Sequence, residues 1–146
     1  MKHLLFSTTG DWAGFILRIL LGAIMLPHGA QKLFGWFGGY GFTPTMQFFT
    51  DTLKLPWIIG LLVITLEFFG AAALIAGFAS KVWAFGLLVV MVGAIITTNY
   101  KHGLFMNWFG TQQGEGYEYH LLVIGICLVI MLLGSGRLSL DNWIEK

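Results

Sequence analysis

Four stretches of the chain run with almost no charge: residues 12–33, 56–78, 82–100 and 117–133. A helix needs about 20 mostly apolar residues to cross the hydrocarbon of a bilayer, and each stretch meets or approaches that length. Inside a bilayer only a helix satisfies its own backbone, and four such runs cannot close a barrel. The pattern predicts an all-α membrane protein: a single domain over residues 1–146, built as a four-transmembrane-helix bundle. The polar breaks between the runs are unequal. "GFASK" reads as a tight turn between helices two and three. Between helices one and two, Thr43 and Pro44 read as a helix cap and first turn, and "MQFFTDTLKL" mixes aromatic with polar residues, so a short interfacial helix is expected there. The connection "KHGLFMNWFGTQQGEG" is rich in glycine and aromatics on that same side, and its tryptophans suit anchoring at the membrane surface.

The polar residues that interrupt the apolar runs carry most of the functional signal. Glu67, in "LLVITLEFFGAAALIAG", falls near the middle of helix two. An ionised side chain at that depth costs at least ~2.5 kcal/mol on insertion scales, so Glu67 is expected to face the bundle interior. Gly60, Gly70, Ala71 and Gly77 lie near the same face and let a neighbouring helix approach closely. Arg18, about two turns into helix one, is the natural partner for Glu67. A structural ion pair and a proton-relay role are both open for the carboxylate. Arg18, Gly22, Met25, Gly29 and Lys32 form one slowly drifting stripe along helix one. His28, Gln31 and Lys32 share a face if the helix survives Pro27, although Lys32 also has the length to snorkel to the headgroups. Asn99 and His102 fall at the same level on helix three. At the start of helix four, Glu118 and His120 are two residues apart and cannot share a face; His120 is preferred, because its face continues through Ile124 and Cys127.

Composition agrees with the pattern and removes several classes of function. The chain is 57% hydrophobic and 10% charged, with mean hydropathy +0.79 and a pI near 7.9. Its net charge of +1 leaves no basic stripe for nucleic acid. The one cysteine, Cys127, sits in "LLVIGICLVIMLL" and reads as an apolar filler, and a single cysteine excludes an internal disulfide or dithiol relay. The first apolar stretch is long, contains Arg18 and lacks a clear cleavage site, so it is read as retained rather than as a signal peptide. With both termini on one side, Lys2, Lys81, Arg137 and Lys146, with Arg18 nearby, face Lys32, Lys54 and Lys101 across the membrane. This weak excess favours cytoplasmic termini.

"HGAQKLFGWFGGYG" after helix one and "HGLFMNWFGTQQGEG" after helix three echo each other, with different spacing. If the echo reflects a duplicated hairpin, His28 and His102 meet at one mouth of the bundle; interfacial composition alone also produces such echoes. The histidines lack a metal-ligand spacing such as H-E-x-x-H, so no metal site is assigned. Quinone reduction needs hydrogen-bond donors for two carbonyl oxygens, apolar walls for the ring and protonatable groups. Glu67 and His28 as reacting groups, with Arg18, Gln31, Lys32, Asn99, His102 and His120 as binding residues, are compatible with that chemistry.

The stretches "RILLGAIMLPHGAQKLFGWFGGYG", "LEFFGAAALIAGF" and "YEYHLLVIGICLVIMLLGSGRLSLD" together make the chain resemble the DoxX family of small bacterial inner-membrane proteins, over almost its whole length. The resemblance implies a four-helix inner-membrane protein. Some relatives are associated with sulfur oxidation through a thiosulfate:quinone oxidoreductase, others with redox-stress or quinone-related partners. It carries over Arg18, Gly22, His28, Gly29, Lys32 and Leu33, then Glu67 and Gly70, then Tyr119, Gly136, Arg137 and Asp141. Arg137 and Asp141, spaced i, i+4, read as a structural cap at the terminal surface. No haem, flavin, nicotinamide or iron-sulfur motif is present, so any redox cofactor is expected to come from a partner or from a diffusible thiol-type or quinol substrate.

The leading expectation is a redox-associated integral membrane protein that binds a quinone or similar apolar carbonyl compound, with no intrinsic cofactor. The alternative is a non-catalytic adaptor that anchors or stabilises a partner oxidoreductase. A small-molecule transporter is disfavoured by so few helices unless the chain forms a homo-oligomer. Whether the protein is itself an enzyme is open at this stage, and membrane lipids are its expected surroundings.

Overall fold

Helix α1, Trp12–Phe34, starts where Asp11 turns its side chain back to accept from Gly14 N at 2.6 Å, and it ends at Gly35, whose φ of 76° suits a glycine. The helix passes through Pro27 without breaking. The computed structural model describes residues 7–145; Lys2 and Lys146, which enter the charge argument, lie outside the described residues. A short helix α2, Phe42–Gln47, follows and continues as a π turn over Phe48–Thr52. It begins behind Gly41 with no side-chain cap, so Thr43 is not the capping residue expected from the sequence. Helix α3 spans Trp57–Ala76, α4 Ser80–His102, α5 Glu118–Leu133 and α6 Leu140–Glu145.

The described residues are all-helical and contain no strand. Three helices, α1, α3 and α4, are long and apolar enough to cross a membrane; α5 is apolar but has 16 residues. Helix α1 packs along α3, and α4 packs along α5. Between them lies an apolar core that includes Leu21, Met25, Leu74, Leu87, Cys127 and Ile130. Cys127 is sealed inside it, which suits the filler role read from its surroundings.

The α1–α3 contact is set by missing side chains. A Cβ on Gly22 would stand 2.8 Å from Ala71 O, and one on Gly29 would stand 2.5 Å from Phe68 N, closer than real atoms pack. The two backbones therefore touch, as small residues allow in membrane helices. Of the stripe expected on α1, Arg18, Gly22, Met25 and Gly29 are buried, as is Gly14 before them, whereas Lys32 at its far end is half-buried.

The end of the bundle that carries the first and last described residues, the terminal end, is closed by hydrogen bonds. Arg18 is fully buried, and all five guanidinium donors reach backbone carbonyls. Nε donates to Ser135 O at 2.8 Å, Nη1 to Leu74 and Ile75 O at 3.0 and 2.6 Å, and Nη2 to Arg137 and Leu138 O at 3.1 and 2.5 Å. These are the last carbonyls of α3, which a helix end leaves unsatisfied, and those of the turn after α5. Beside it, Asp141 caps the start of α4, accepting from Ala79 N at 2.7 Å and Ser80 N at 3.0 Å, and it also accepts from the Ser135 hydroxyl. The expected pairing of Asp141 with Arg137 is not formed; Arg137 instead donates to Gly10 O at 3.1 Å and lies over the Trp12 ring. The structural capping role is real, but its target is the N-terminus of α4, whose free N–H groups attract a carboxylate more strongly than a solvated arginine does.

Candidate functional site

The close crossing at Gly29 fixes what lies beside Glu67. With Gly29 against the backbone of Glu67 and Phe68, the neighbours of Gly29 on α1 sit at the level of the carboxylate. Lys32, one turn further along, extends its Nζ to 2.5 Å from Glu67 Oε2. Glu67 is only 4% exposed, so the pair answers the desolvation problem posed by a carboxylate in an apolar helix. This corrects the expected Arg18–Glu67 pair. In antiparallel packing, Gly22 already faces Ala71 and Ile75, so Arg18 is level with the end of α3, beyond Glu67's reach.

The pair lies at the edge of a cavity of about 550 Å³, within the roughly 300–1,000 Å³ of ordinary small-molecule sites. His28, Asn99, Tyr119 and His120 line it as well, and most of its remaining wall is apolar. The rings of His28 and Tyr119 stand 6.0 Å apart and those of Tyr119 and His120 5.6 Å apart, so three groups form a row. Their hydrogen-bonding capacity is largely unspent. His120 Nδ1 is buried with no partner, and the Tyr119 hydroxyl reaches only the thioether of Met25, at 3.4 Å, a weak acceptor. Among the described residues, nothing hydrogen-bonds to the His28 ring. A buried orphan nitrogen costs stability unless something binds it.

Not every expected residue joins this group. Gln31 lies round the helix from His28; it donates to Phe37 O at 3.2 Å and lines a separate outer pocket of about 580 Å³ with Gly39, Tyr40 and Thr45. Lys32, Phe48 and Phe49 line both spaces and form the wall between them. His102 is at the same end of the bundle as His28 but outside the cavity, packed against Gly114 of the long connection. Asn99 reaches the cavity, yet its amide is occupied, donating to Glu115 O at 3.0 Å and accepting from Thr98. Arg18 is absent from the site. His120 rather than Glu118 faces the cavity; Glu118 accepts from Met106 N and fastens the connection. Among the described residues, no three His, Cys, Asp or Glu side chains gather closely enough for a metal ion.

Phe48 and Phe49 were not singled out for the site, although "MQFFTDTLKL" carries their signal as paired aromatics on a polar segment. A feature with no signature in the sequence is the set of π turns. Phe48–Thr52, Leu66–Gly70 and Ile95–Asn99 each contribute side chains to the cavity: Phe48 and Phe49, Leu66 and Glu67, Thr97 through Asn99. Such turns are rare and cluster at functional sites.

The DoxX family model matches residues 13–100. The chain belongs to the DoxX family. A curated relative from Bacillus subtilis (strain 168), named "Putative oxidoreductase CatD", is 29% identical over 131 residues, covering 90% of this chain and 86% of the relative. No solved structure matches. The DoxX match takes in Arg18, His28, Lys32, Glu67 and Asn99, and it ends before the connection that leads to Tyr119 and His120. The relative's longer alignment gives this DoxX protein a similarity that extends over most of the chain, including a stretch outside the family match.

Proposed function

We propose that this DoxX protein binds a quinone or a similar apolar carbonyl compound in the cavity, as part of a membrane oxidoreductase system. The observation that carries the reading is the unspent row of His28, Tyr119 and His120 in one cavity with the half-buried Lys32–Glu67 pair. A quinone offers two carbonyl oxygens, which accept from the Tyr119 hydroxyl and from an imidazole N–H, and a flat apolar ring, which suits the remaining wall. Reduction to a quinol adds two electrons and two protons. Glu67 and His28 are placed to pass protons to the ring oxygens, and Lys32 holds the charge of the carboxylate between transfers. The electrons come from a partner oxidoreductase or a diffusible thiol-type donor. The "oxidoreductase" in the relative's name is consistent with this assignment.

The same reading places α5 across the membrane as a fourth span, α2 at the interface and both termini in the cytoplasm of a bacterial inner membrane. The cavity, built from the far ends of α1 and α4 and the near ends of α3 and α5, then lies in the non-cytoplasmic half. Purification in mild detergent followed by analysis of the extract is expected to give bound quinone. The Glu67→Gln variant should assemble normally and lose quinone-dependent turnover. Unchanged turnover would remove Glu67 from the mechanism. A stable sample without any bound quinone, and silent His28 and Glu67 variants, would favour an adaptor that anchors a partner oxidoreductase.

A further inference from the structure

The cavity has a polar end and an apolar end, and the apolar end is open at the side of the bundle. Helix α3 packs against α4 in its second half, around the π turn at Leu66–Gly70, whereas its first half, Trp57–Thr65, packs on α1 and α2 and scarcely touches α4. The two helices thus diverge away from the terminal end. Ile59 and Leu62 on α3 and Val89 on α4 line the cavity and are also exposed at the outer surface, at 40%, 46% and 51%. Gly93, between them and the polar groups in the lining of α4, faces open space: a Cβ built on it meets no atom within 4 Å. Both helices are apolar enough to cross a membrane, so this opening faces acyl chains and not water.

We propose that the cleft between the first half of α3 and the second half of α4 is a lateral portal, through which an amphiphile with a polar head and a long hydrocarbon tail enters from the lipid. The head rests beside Glu67, Tyr119 and His120. The tail lies along Ile59, Leu62, Val89 and Gly93 and extends into the bilayer. A compact water-soluble compound would leave these apolar walls uncovered, whereas a tailed one matches both ends of the space. The proposal rests on the reading that the cavity holds a quinone-like head, and it adds the tail, the route and the direction of insertion.

Gly93 gives a direct test, because a larger side chain there has room to form and leaves a helix-favouring residue in place of glycine. Wild-type protein and the variants Gly93→Phe, Gly93→Ala and Gly125→Phe are reconstituted in phosphatidylcholine nanodiscs, and their assembly is checked by gel filtration. Gly125 also faces open space but lies outside the cavity, so it controls for an added ring on a membrane helix. Each is titrated by calorimetry with a decyl-tailed benzoquinone and with the same benzoquinone lacking its tail, and empty nanodiscs are subtracted. Gly93→Phe is expected to weaken the tailed compound about tenfold and to leave the tail-less one unchanged, while the other two variants bind both as wild type does. Unaltered binding of the tailed compound to Gly93→Phe overturns the portal while leaving the quinone site standing. Failure of both compounds to bind wild-type protein overturns the quinone reading and the portal's occupant together. Equal loss of both compounds in Gly93→Phe also overturns the proposal, since it would show that the residue shapes the head site and not the route of the tail.

Discussion

The two ends of the bundle treat buried polar groups in opposite ways. At the terminal end, Arg18 spends all five donors on carbonyls, and Asp141, Ser80 and Ser135 bond one another and the start of α4. At the other end, Glu67 has one ionic partner, Tyr119 reaches only a thioether and His120 Nδ1 reaches nothing. A satisfied network holds helix ends in place; an unsatisfied one costs stability that only a ligand recovers. The contrast separates the part of this chain that makes the fold from the part available for chemistry, although both contain a buried charge in an apolar helix.

The strongest way to break this contrast is to remove Arg18. Arg18→Leu strands the carbonyls of Ile75, Ser135, Arg137 and Leu138, while Leu74 O keeps its bond from Gly77 N, and should cost on the order of 4 kcal/mol of stability, read as a fall in the unfolding midpoint in detergent. A loss smaller than that of a cavity variant would collapse the distinction. Next, Asp141→Ala removes the cap on α4 and should cost about 2 kcal/mol in the same assay. Then His120→Phe tests the opposite prediction at the other end. Because the substitution removes the orphaned Nδ1, stability should equal or exceed that of wild type, while quinone affinity falls about tenfold. A large stability loss in His120→Phe would mean that this ring supports the fold.

The smallest expected effect comes from Asp11, at the surface before α1. Its carboxyl is held below the ordinary value of 3.8, first by the Thr9 hydroxyl and then by the Gly14 N–H. A depressed folded pKa means that the ionised form is favoured by folding, so its contribution is present above pH 3.8 and is lost as pH falls through the lower folded value. Melting curves taken below pH 4 should therefore show a shallower acid loss in Asp11→Asn than in wild type. Identical acid limbs would assign the acid sensitivity to other carboxylates.

Much of the architecture was legible because the bilayer leaves few choices. The apolar runs place α1, α3, α4 and α5 within about two residues of their observed ends, and the glycine stripe on α1 marks the face that meets α3. The depth of Glu67 correctly required it to turn inward. Its partner was misread because Arg18 and Glu67 were compared by their depth from one surface, with reach assumed to close the gap. The controlling fact is the register of the crossing, set by Gly22 and Gly29, and that register puts Lys32 beside Glu67. The real partners of Arg18 were invisible for a different reason: backbone carbonyls have no letter in a sequence. Gln31 was placed by its i, i+3 spacing from His28 and His102 by its level along the helix, whereas access to the cavity depends on which side of Lys32 a residue falls and on the path of the long connection. The π turns depend on local hydrogen-bond choice and leave no periodicity to detect.

Those π turns also change what the gene tolerates. A π turn contains one residue more than the α turn it replaces, so residues 66–70 are a place where α3 can lose a single codon and close up into regular helix. The repair would be conformationally easy and functionally severe. In regular helix one deletion rotates the flanking segments by about 100° against each other, but here the residue lost is the extra one of the π turn, so Trp57–Thr65 and Ala71–Ala76 keep their faces and only the side chains of 66–70, Glu67 among them, are re-aimed. A deletion scan across α3 should accordingly find a short window in which protein still accumulates in the membrane but the Lys32–Glu67 pair is lost, flanked by positions where the same one-residue loss prevents accumulation.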